Sequence, residues 1–245
     1  MKSDASLIKY VIIVAGGSGL RAGGDIPKQF QMLCGKPMLW WSMKHFAEED
    51  SDVRIILVLN ESYLELWEKQ FSNLSYEDKI NHIRVKGGET RFHSVLNGLN
   101  AIEEKEKENV FVAVHDAARP LALPDMIRRG WQMAISNRKS IVPVIAPKES
   151  LRKIDSSSEN LSHAVDRSQF LSVQTPQIFP FEVLLKAYET EFKSEFTDDA
   201  SVVESNGEKV YHFEGDSKNF KVTNPEDFAL ATYLLKGVNK DEQLS

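Results

Sequence analysis

Continuous apolar runs alternate with amphipathic segments from Tyr10 to Ala146. The apolar runs predict strands at Tyr10–Ala15, Val53–Asn60, His82–Lys86, Asn109–His115 and Ser140–Ala146. The amphipathic segments predict helices at Pro37–Glu48, Tyr63–Phe71, a stretch marked by Phe92, Val95, Leu96, Leu99 and Ile102, and Pro124–Asn137. Because the strands lack polar alternation, we expect an α/β fold with a mostly parallel sheet covered by helices. In such folds ligands bind beyond the carboxyl ends of the strands.

Length, charge and cysteine content narrow the class of protein. With 245 residues the chain can bury a full core, and we expect one domain over residues 1–245. The formal net charge of −6 argues against a broad nucleic-acid surface, which is usually basic. The single cysteine, Cys34, excludes an internal disulfide and suits a reducing cytoplasm. The pattern predicts neither a secretory signal nor a membrane span, so we expect a cytoplasmic protein.

Residues 148–172 break the alternation. Two short strand-like pieces, Ser150–Ile154 and Leu161–Val165, flank a polar turn and predict a β-hairpin arm that projects from the sheet. A two-stranded hairpin is marginally stable alone. We therefore expect the arm to pack on another surface, such as a second subunit.

The segment AGGSGLRAGGDIPKQF follows the first predicted strand. Glycines free the backbone to point N–H groups at an anion, and Arg21 and Lys28 add positive charge. We therefore predict a loop that wraps a triphosphate; the alternative is a surface loop with glycine turns. The candidate residues are Ala15, Gly16, Gly17, Gly19, Arg21 and Lys28.

Gly17–Ala22 also fits the permissive dinucleotide fingerprint GxGxxG/A. That fingerprint requires a helix directly after the loop and an acidic residue at the end of the next strand. Here Gly23, Gly24 and Pro27 interrupt any helix, and the next predicted strand ends at Asn60. The loop is therefore predicted to hold a nucleoside triphosphate rather than a dinucleotide.

A second glycine pair, Gly87-Gly88, lies where a predicted strand passes into a helix. Backbone N–H groups at such a junction can bind a polar ligand edge. Gly88 and Glu89 are candidates for this contact, and Ser94 lies one turn into the helix. The alternative is an ordinary turn with Thr90 as the helix N-cap.

His115-Asp116-Ala117-Ala118-Arg119-Pro120 follows another predicted strand. A carboxylate at a strand end beside a phosphate loop suits Mg²⁺, which binds one or two carboxylates together with substrate phosphates. Asp116 is therefore the candidate metal ligand, and small Ala117 and Ala118 permit close approach of a ligand. The alternative is that Asp116 and Arg119 form an ion pair that shapes the loop.

Three further segments near the C-terminus carry polar signals. Thr197 precedes two acidic residues and on its own indicates a helix N-cap. Asn224 before Pro225 also predicts an N-cap, which we interpret as structural. Lys221 lies in the strand-like segment Asn219–Val222, where its charge could neutralise a phosphate.

Taken together and in order, these segments resemble one enzyme family. They are AGGSGLRAGGDIPKQF, GGETR, VHDAARP, AVDRSQF, TPQIF, TDDAS and NFKVTNPED. They are similar to the 2-C-methyl-D-erythritol 4-phosphate cytidylyltransferases of the non-mevalonate isoprenoid route. The resemblance implies a Rossmann-like nucleotidyltransferase fold and a homodimer clasped by the hairpin arm. The chain departs from the common pattern at Gly16, Glu89 and Ser150, where the family more often has Ala, Asp and Thr.

The resemblance also implies roles for residues. The first loop would hold the CTP triphosphate, Gly88, Glu89 and Ser94 would lie at the cytosine, and Asp116 would lie near the ribose and Mg²⁺. Ser150, Arg167, Thr175 and Thr197 would serve the methylerythritol phosphate pocket, with Ser150 and Arg167 reaching in from a neighbouring subunit. Ala117 and Arg119 complete the predicted CTP site.

The predicted reaction needs no protein nucleophile, because the acceptor phosphate attacks the α-phosphorus of CTP itself. Positioning and charge stabilisation remain, and we expect Arg21, Lys28 and Lys221 to supply them. Ribitol 5-phosphate is the alternative acceptor. Two hypotheses of different classes are a dinucleotide-binding oxidoreductase and a non-catalytic nucleotide-binding module.

Overall fold

A computed structural model describes residues 7–16, 26–103, 109–155 and 160–241. The strands are β1 Ile8–Ala15, β2 Met32–Leu33, β3 Lys36–Pro37, β4 Arg54–Leu59, β5 Ile83–Lys86, β6 Val110–Asp116, β7 Ser140–Ile145, β8 Arg152–Ile154, β9 Ser162–Ala164, β10 Ser172–Val173, β11 Gln177–Pro180 and β12 Val210–Glu214. The helices are α1 Met38–Glu49, α2 Leu64–Ser72, α3 Arg91–Asn100, α4 Pro124–Asn137, α5 Phe181–Ala187, α6 Asp199–Ser205 and α7 Pro225–Asp241.

The main sheet has the strand order β10-β7-β11-β6-β1-β4-β5, and β12 pairs with β7. β1 runs parallel to both β4 and β6, and β4 runs parallel to β5. The register places Val14 beside Asp116 and Ala15 beside Leu59, so the carboxyl ends of these strands meet at one edge. The prediction of a mostly parallel α/β sheet is confirmed.

The sheet also contains antiparallel strands that the pattern did not predict. β11 lies between β6 and β7 and is antiparallel to both, and β10 is antiparallel to β7. β11 has only four residues and ends at Pro180. A short run beside prolines gives little strand signal in a sequence.

Helices cover both faces of the sheet. Successive residues of a strand point to opposite faces, and in β1 Val11 and Ile13 pack with α1 and α4 while Tyr10 and Ile12 pack with α3 and α5. A third buried cluster joins Trp41 of α1 to Leu235 of α7. In the described ranges no helix is long and apolar enough to cross a membrane.

Two local predictions near the C-terminus are wrong. Asn219–Val222 does not form a strand. The segment is held by a backbone bond from Val222 N–H to the Ala118 carbonyl at 2.8 Å and by the buried Asn219 side chain. Thr197 is not an N-cap, because Asp198 caps α6 in a capping box with Ser201. Asn224 does accept a hydrogen bond from Asp227 N–H at 2.8 Å, as its capping role predicts.

The predicted hairpin pairing is confirmed, because β8 and β9 pair antiparallel with Lys153 opposite His163. Residues 156–159, between the two strands, lie outside the described ranges. Large apolar side chains on the arm and the segment after it are exposed, namely Ile154, Leu161, Phe170, Leu171 and Val173. The single-domain boundary at residues 1–245 stays a prediction.

Candidate active site

A pocket of about 560 Å³ lies at the edge where β1 and β6 end, at the start of α3. It is lined by Val14, Ala15, Gly16, Lys28, Gln29, Gly88, Glu89, Thr90, Arg91, Ser94, Asp116, Ala117, Ala118, Lys221 and Thr223. This is the edge at which ligands bind in parallel α/β sheets. The structure thus brings together residues from the predicted phosphate loop, the second glycine pair, the Asp116 segment and the Lys221 segment.

The end of the predicted phosphate loop is fastened to its start. The buried Gln29 side chain donates from Nε2 to the Ala15 carbonyl at 2.9 Å. The preceding Lys28 lines the pocket and donates from Nζ to the Val222 carbonyl at 2.5 Å. These contacts fix Lys28 at the wall of the pocket. Gly17, Gly19 and Arg21 of the predicted site lie outside the described residues.

The second glycine pair is built into the start of α3. Thr90 is the N-cap, as the alternative interpretation predicts, and accepts a hydrogen bond from His93 N–H. The buried Ser94 hydroxyl accepts from Gly88 N–H at 3.1 Å and donates to the Thr90 carbonyl at 2.9 Å. Gly87 N–H donates to the Leu59 carbonyl at 2.7 Å. The backbone around Gly88 and Glu89 is therefore held in place while both residues face the pocket.

Asp116 forms the charged floor of the pocket. Its Oδ1 lies 3.3 Å from Arg91 Nε, and its Oδ2 lies 3.0 Å from Lys221 Nζ and 3.6 Å from Arg119 Nε. Burial alone would raise the pKa of Asp116, but the charges of Arg91, Lys221 and Arg119 outweigh burial and hold that pKa well below its usual value. Asp116 is therefore ionised throughout the neutral range.

A buried histidine supports the Asp116 segment from below. Thr175 Oγ1 accepts a hydrogen bond from Asp116 N–H at 3.1 Å. The Thr175 hydroxyl can therefore donate its own proton to His115 Nδ1, which lies 3.0 Å away. His115 Nε2 faces the Arg119 carbonyl at 3.1 Å and donates to it in this arrangement. Burial lowers the pKa of His115 to about 4 against the charge of Asp116. His115 is therefore neutral near pH 7, and it is fully buried, so it does not face substrate.

Arg91 links the pocket to α6. Its Nη1 and Nη2 atoms donate to both carboxylate oxygens of Asp199 at 3.0 and 2.7 Å. Tyr188, just after α5, donates its hydroxyl to Asp199 Oδ1 at 2.6 Å. Asp199 is fully buried, so its charge is compensated entirely inside the protein. Burial raises the pKa of Tyr188, and Asp199 raises it further.

Several predicted residues lie away from the pocket lining. Arg119 forms the ion pair with Asp116 and donates to the Asn219 carbonyl at 2.8 Å, which is the alternative that the sequence left open. Thr175 is buried behind Asp116. The other three are exposed, and they are Ser150, Arg167 and Thr197. The Arg167 guanidinium donates to the Lys148 carbonyl at 2.5 Å, within the arm. The ligand contacts assigned to these five residues stay predictions.

The sequence interpretation missed several lining residues, which are Val14, Gln29, Thr90, Arg91 and Thr223. Arg91 stands in the same GGETR segment as Gly88 and Glu89, but the acidic partners that orient it are distant in the chain. Gln29 follows Lys28 directly, and a glutamine next to a phosphate loop carries no specific signal. Only the fold shows that these side chains line the pocket.

The described carboxylates in the pocket lining are Asp116 and Glu89. In the ranges that the structure describes, no group of three or more His, Cys, Asp or Glu side chains could hold a metal. Mg²⁺ characteristically keeps water and binds one or two carboxylates plus substrate phosphates. A carboxylate has about four lone-pair positions, so the three cations around Asp116 leave room for one more contact. The donor set fits Mg²⁺ held mainly by phosphates.

Comparison with known proteins identifies the family. A family model described as 2-C-methyl-D-erythritol 4-phosphate cytidylyltransferase (IspD) matches residues 9–237. The chain belongs to this family. The relative of that name from Bacteroides thetaiotaomicron is 42% identical over 226 residues, which cover 92% of this chain and 98% of the relative. The relative of that name from Clostridium beijerinckii is 38% identical over 230 residues, which cover 93% of this chain and 98% of the relative.

Solved structures of the cytidylyltransferase family have the same fold. The 4-diphosphocytidyl-2C-methyl-D-erythritol synthase of Anaerococcus prevotii is similar with a TM-score of 0.76 at 25% identity, covering 94% of this chain and 99% of that one. The 2-C-methyl-D-erythritol 4-phosphate cytidylyltransferase of Francisella tularensis (IspD) gives a TM-score of 0.73 at 31% identity. The match covers 92% of this chain and 99% of that one. The resemblance inferred from the motifs is confirmed, and so is the Rossmann-like nucleotidyltransferase fold.

Gly88 is a site where an added methyl group should be costly. A Cβ there would lie 2.3 Å from His93 Cβ and 2.8 Å from the His93 carbonyl carbon, whereas a Cβ at Gly16 meets Ser94 Oγ at 3.3 Å. We expect Gly88→Ala to lower the free energy of unfolding by about 1–3 kcal/mol and to weaken CTP binding. Urea unfolding and calorimetric titration with CTP measure both effects.

Gly16→Ala is the matched control for Gly88→Ala. It adds the same methyl group to the same pocket, but its nearest contact, Ser94 Oγ at 3.3 Å, requires a shift of only a few tenths of an ångström, so we expect the free energy of unfolding to change by less than about 1 kcal/mol. Equal losses of stability in the two variants would contradict the steric argument.

Proposed function

We infer that this chain transfers CMP from CTP to 2-C-methyl-D-erythritol 4-phosphate and releases pyrophosphate. The main observation in support is the pocket at the carboxyl edge of the sheet. The family of the chain, and the relatives it resembles, are named for this cytidylyltransferase activity. The pocket combines a glycine-flanked helix start, which can bind a polar base edge, with the cations Lys28, Arg91 and Lys221.

The chemistry follows from the charges of the reactants. An oxygen of the acceptor phosphate attacks the α-phosphorus of CTP in line, a new phosphorus–oxygen bond forms, and the bond between the α-phosphorus and the bridging oxygen breaks. The acceptor phosphate is already ionised near neutral pH, so a protein base is not required. The protein brings two polyanions together and stabilises the charge that develops on the leaving pyrophosphate.

We propose that Lys28 and Lys221 lie on the reacting phosphates, together with Arg21 from the predicted loop. Lys28 reaches the pocket from the fixed end of that loop, and Lys221 Nζ is held 3.0 Å from Asp116 Oδ2. A fixed ammonium group costs little reorganisation when charge develops in the transition state. Gly88, Glu89 and Ser94 are proposed to contact the cytosine, and Ala15, Gly16 and Ala117 to lie against the nucleotide.

Mg²⁺ is the proposed cofactor, with Asp116 as its protein ligand. The ionised carboxylate of Asp116 at the pocket floor supports this role, because the remaining ligands would be phosphate and water oxygens. When bound, Mg²⁺ would neutralise triphosphate charge. We further propose a cytoplasmic location, which the half-buried free thiol of Cys34 supports.

We also propose that the enzyme is a homodimer joined by the hairpin arm. The arm carries exposed Ile154 and Leu161, and β10, at the edge of the sheet, carries exposed Val173. Exposed apolar side chains next to an open strand edge are typical of an interface. The exposed Ser150 and Arg167 would then serve the neighbouring subunit's acceptor site.

Charged substitutions in the arm test the dimer. We expect Ile154→Asp with Leu171→Asp to convert a dimer to a monomer in sedimentation velocity and to reduce turnover at least about tenfold, because a buried interfacial carboxylate without a partner is strongly unfavourable. Leu230→Asp places the same charge on the exposed face of α7 and serves as the control. A monomeric unmodified enzyme, or an arm variant that stays dimeric, would refute the proposal.

The function itself is tested by pyrophosphate release from CTP with Mg²⁺. We expect release with 2-C-methyl-D-erythritol 4-phosphate and little with ribitol 5-phosphate. Release with ribitol 5-phosphate alone would reassign the acceptor, and release with neither would refute the proposed activity.

A further inference from the structure

Arg91 is the strongest unassigned feature of the pocket. It is the first residue of α3, lines the pocket and contacts two carboxylates from different parts of the chain. Asp199 is the first residue of α6, and Asp116 ends β6. The side chain thus joins the pocket floor to the helix that follows Thr197.

We propose that Arg91 is a positioning residue for the acceptor half of the site, which it sets by holding α6 against the pocket floor. The inference rests on the proposed function, because Thr197 is assigned to the acceptor through the family resemblance. The forked pairing with Asp199 fixes two parallel hydrogen bonds and therefore an orientation as well as a distance.

The contacts of α6 explain why the pairing matters there. The N-terminal turn of α6 is also bound by the side chain of Gln177. Its Nε2 atom donates to the Asp198 carboxylate, and its Oε1 atom accepts from Ala200 N–H. Thr197 N–H in turn donates to Ser201 Oγ within the capping box. A shift of α6 would therefore carry Thr197 with it.

Charge gives a second reason. Asp199 is fully buried, and Arg91 compensates its charge. Without Arg91, Asp199 would keep the Tyr188 hydroxyl as a partner but would lose its compensating positive charge. Removing one partner of a buried ion pair is also strongly destabilising, because it leaves the other charge without compensation.

The nucleotide half depends much less on Arg91. Gly87 and Gly88 are held by the Leu59 carbonyl and Ser94 Oγ. Asp116 keeps Lys221, Arg119 and the Thr175 hydroxyl as partners when Arg91 is removed. The effect of losing Arg91 should therefore fall mainly on the acceptor.

The test separates positioning from stability. Arg91→Met alone leaves Asp199 without its compensating positive charge and is expected to lower the unfolding midpoint. A triple variant, Arg91→Met with Asp199→Leu and Tyr188→Phe, removes the charges and the hydroxyl together. Apolar replacement of a buried ion pair is often neutral for stability, so the triple variant is expected to unfold near the wild-type midpoint.

In the triple variant we expect the KM for the methylerythritol phosphate to rise at least about tenfold, because small displacements of positioning groups have large kinetic effects. The Kd for CTP should change less than about threefold. Arg91→Lys keeps a charge but loses the forked pairing, and its KM should lie between the wild-type and triple-variant values. Arg84→Ala, which breaks an exposed pair with Glu68, is the control and should change neither constant.

A triple variant with restored stability and a wild-type KM for the acceptor would overturn the proposal and leave Arg91 a purely structural residue. A rise in CTP Kd equal to the rise in acceptor KM would also overturn it. Failure of the proposed function is distinguishable, since the unmodified enzyme would then release no pyrophosphate with methylerythritol phosphate.

Discussion

Replacement of Lys28 by alanine is expected to reduce kcat by about 10²–10³-fold, the usual cost of losing one preorganised charge-stabilising group, while the Kd for CTP changes less than about fivefold. Lys28 lines the pocket and its ammonium group is fixed by the Val222 carbonyl. Its charge is therefore in place before reaction and becomes most useful when the pyrophosphate leaves. Single-turnover pyrophosphate release and calorimetric CTP binding measure the two quantities separately.

Two variants serve as controls for Lys28→Ala. Lys28→Arg keeps the charge and should retain more activity than the alanine variant. Lys69→Ala removes an exposed lysine from α2, away from the pocket, and should leave both quantities unchanged. A Lys28→Ala enzyme that binds CTP poorly but keeps its kcat would contradict the assigned role.

Acidification is expected to destabilise the protein between pH 7 and pH 5. Burial, with a smaller contribution from Lys44, lowers the pKa of His45 to about 3, and burial lowers that of His115 to about 4. In the unfolded chain the pKa of both residues returns to about 6.5. The unfolded state therefore binds more protons than the folded state over this range, and the free energy of unfolding falls as the pH falls.

The size of the pH effect follows from the two histidines. Each can contribute at most about 2 kcal/mol between pH 7 and pH 5, so the two together lower the free energy of unfolding by roughly 4 kcal/mol. Burial also lowers the pKa of His82, which adds to the loss in the same direction. Asp116 acts in a lower pH range, because a lowered carboxylate pKa gives stability that is lost only below about pH 4. Urea unfolding at pH 7, 6 and 5 measures the slope.

His45→Leu tests the assignment of the pH effect. His45 is buried, and its Nδ1 atom has no hydrogen-bond partner among the described residues. Leucine removes this titration and should reduce the loss of stability between pH 7 and pH 5 by up to about 2 kcal/mol. His212→Gln alters an exposed histidine of β12 and should leave the slope unchanged. A free energy of unfolding that is flat from pH 7 to pH 5 would refute the argument.

The helices and strands that the sequence predicted well are those whose apolar residues follow a clear pattern along the chain. β1 and α4 carry continuous or one-sided apolar patterns, and their observed bounds differ little from the predicted ones. β11 was missed because four residues beside a proline carry almost no period. The strand prediction at Lys221 is wrong because a single backbone bond to Ala118 and the buried Asn219 side chain, rather than sheet pairing, hold that segment in place.

The candidate site divides in the same way. Residues that follow a strand, such as Gly88 and Asp116, could be located because their place in the sequence predicts their edge of the sheet. The contacts of Arg91 with Asp199 and of His115 with Thr175 join residues far apart in the chain. Local patterns contain no information about such pairs, so only the folded structure reveals them.

The hydrogen bond from Gln29 to the Ala15 carbonyl has a practical consequence for protein engineering. It closes the base of the glycine-rich segment through residues that the segment 17–25 does not contribute. Lys28 is adjacent to this closure and is also held by the Val222 carbonyl. Variants designed to alter triphosphate contacts within the segment should therefore leave Gln29 unchanged, so that the two ends of the segment stay joined while its interior is varied.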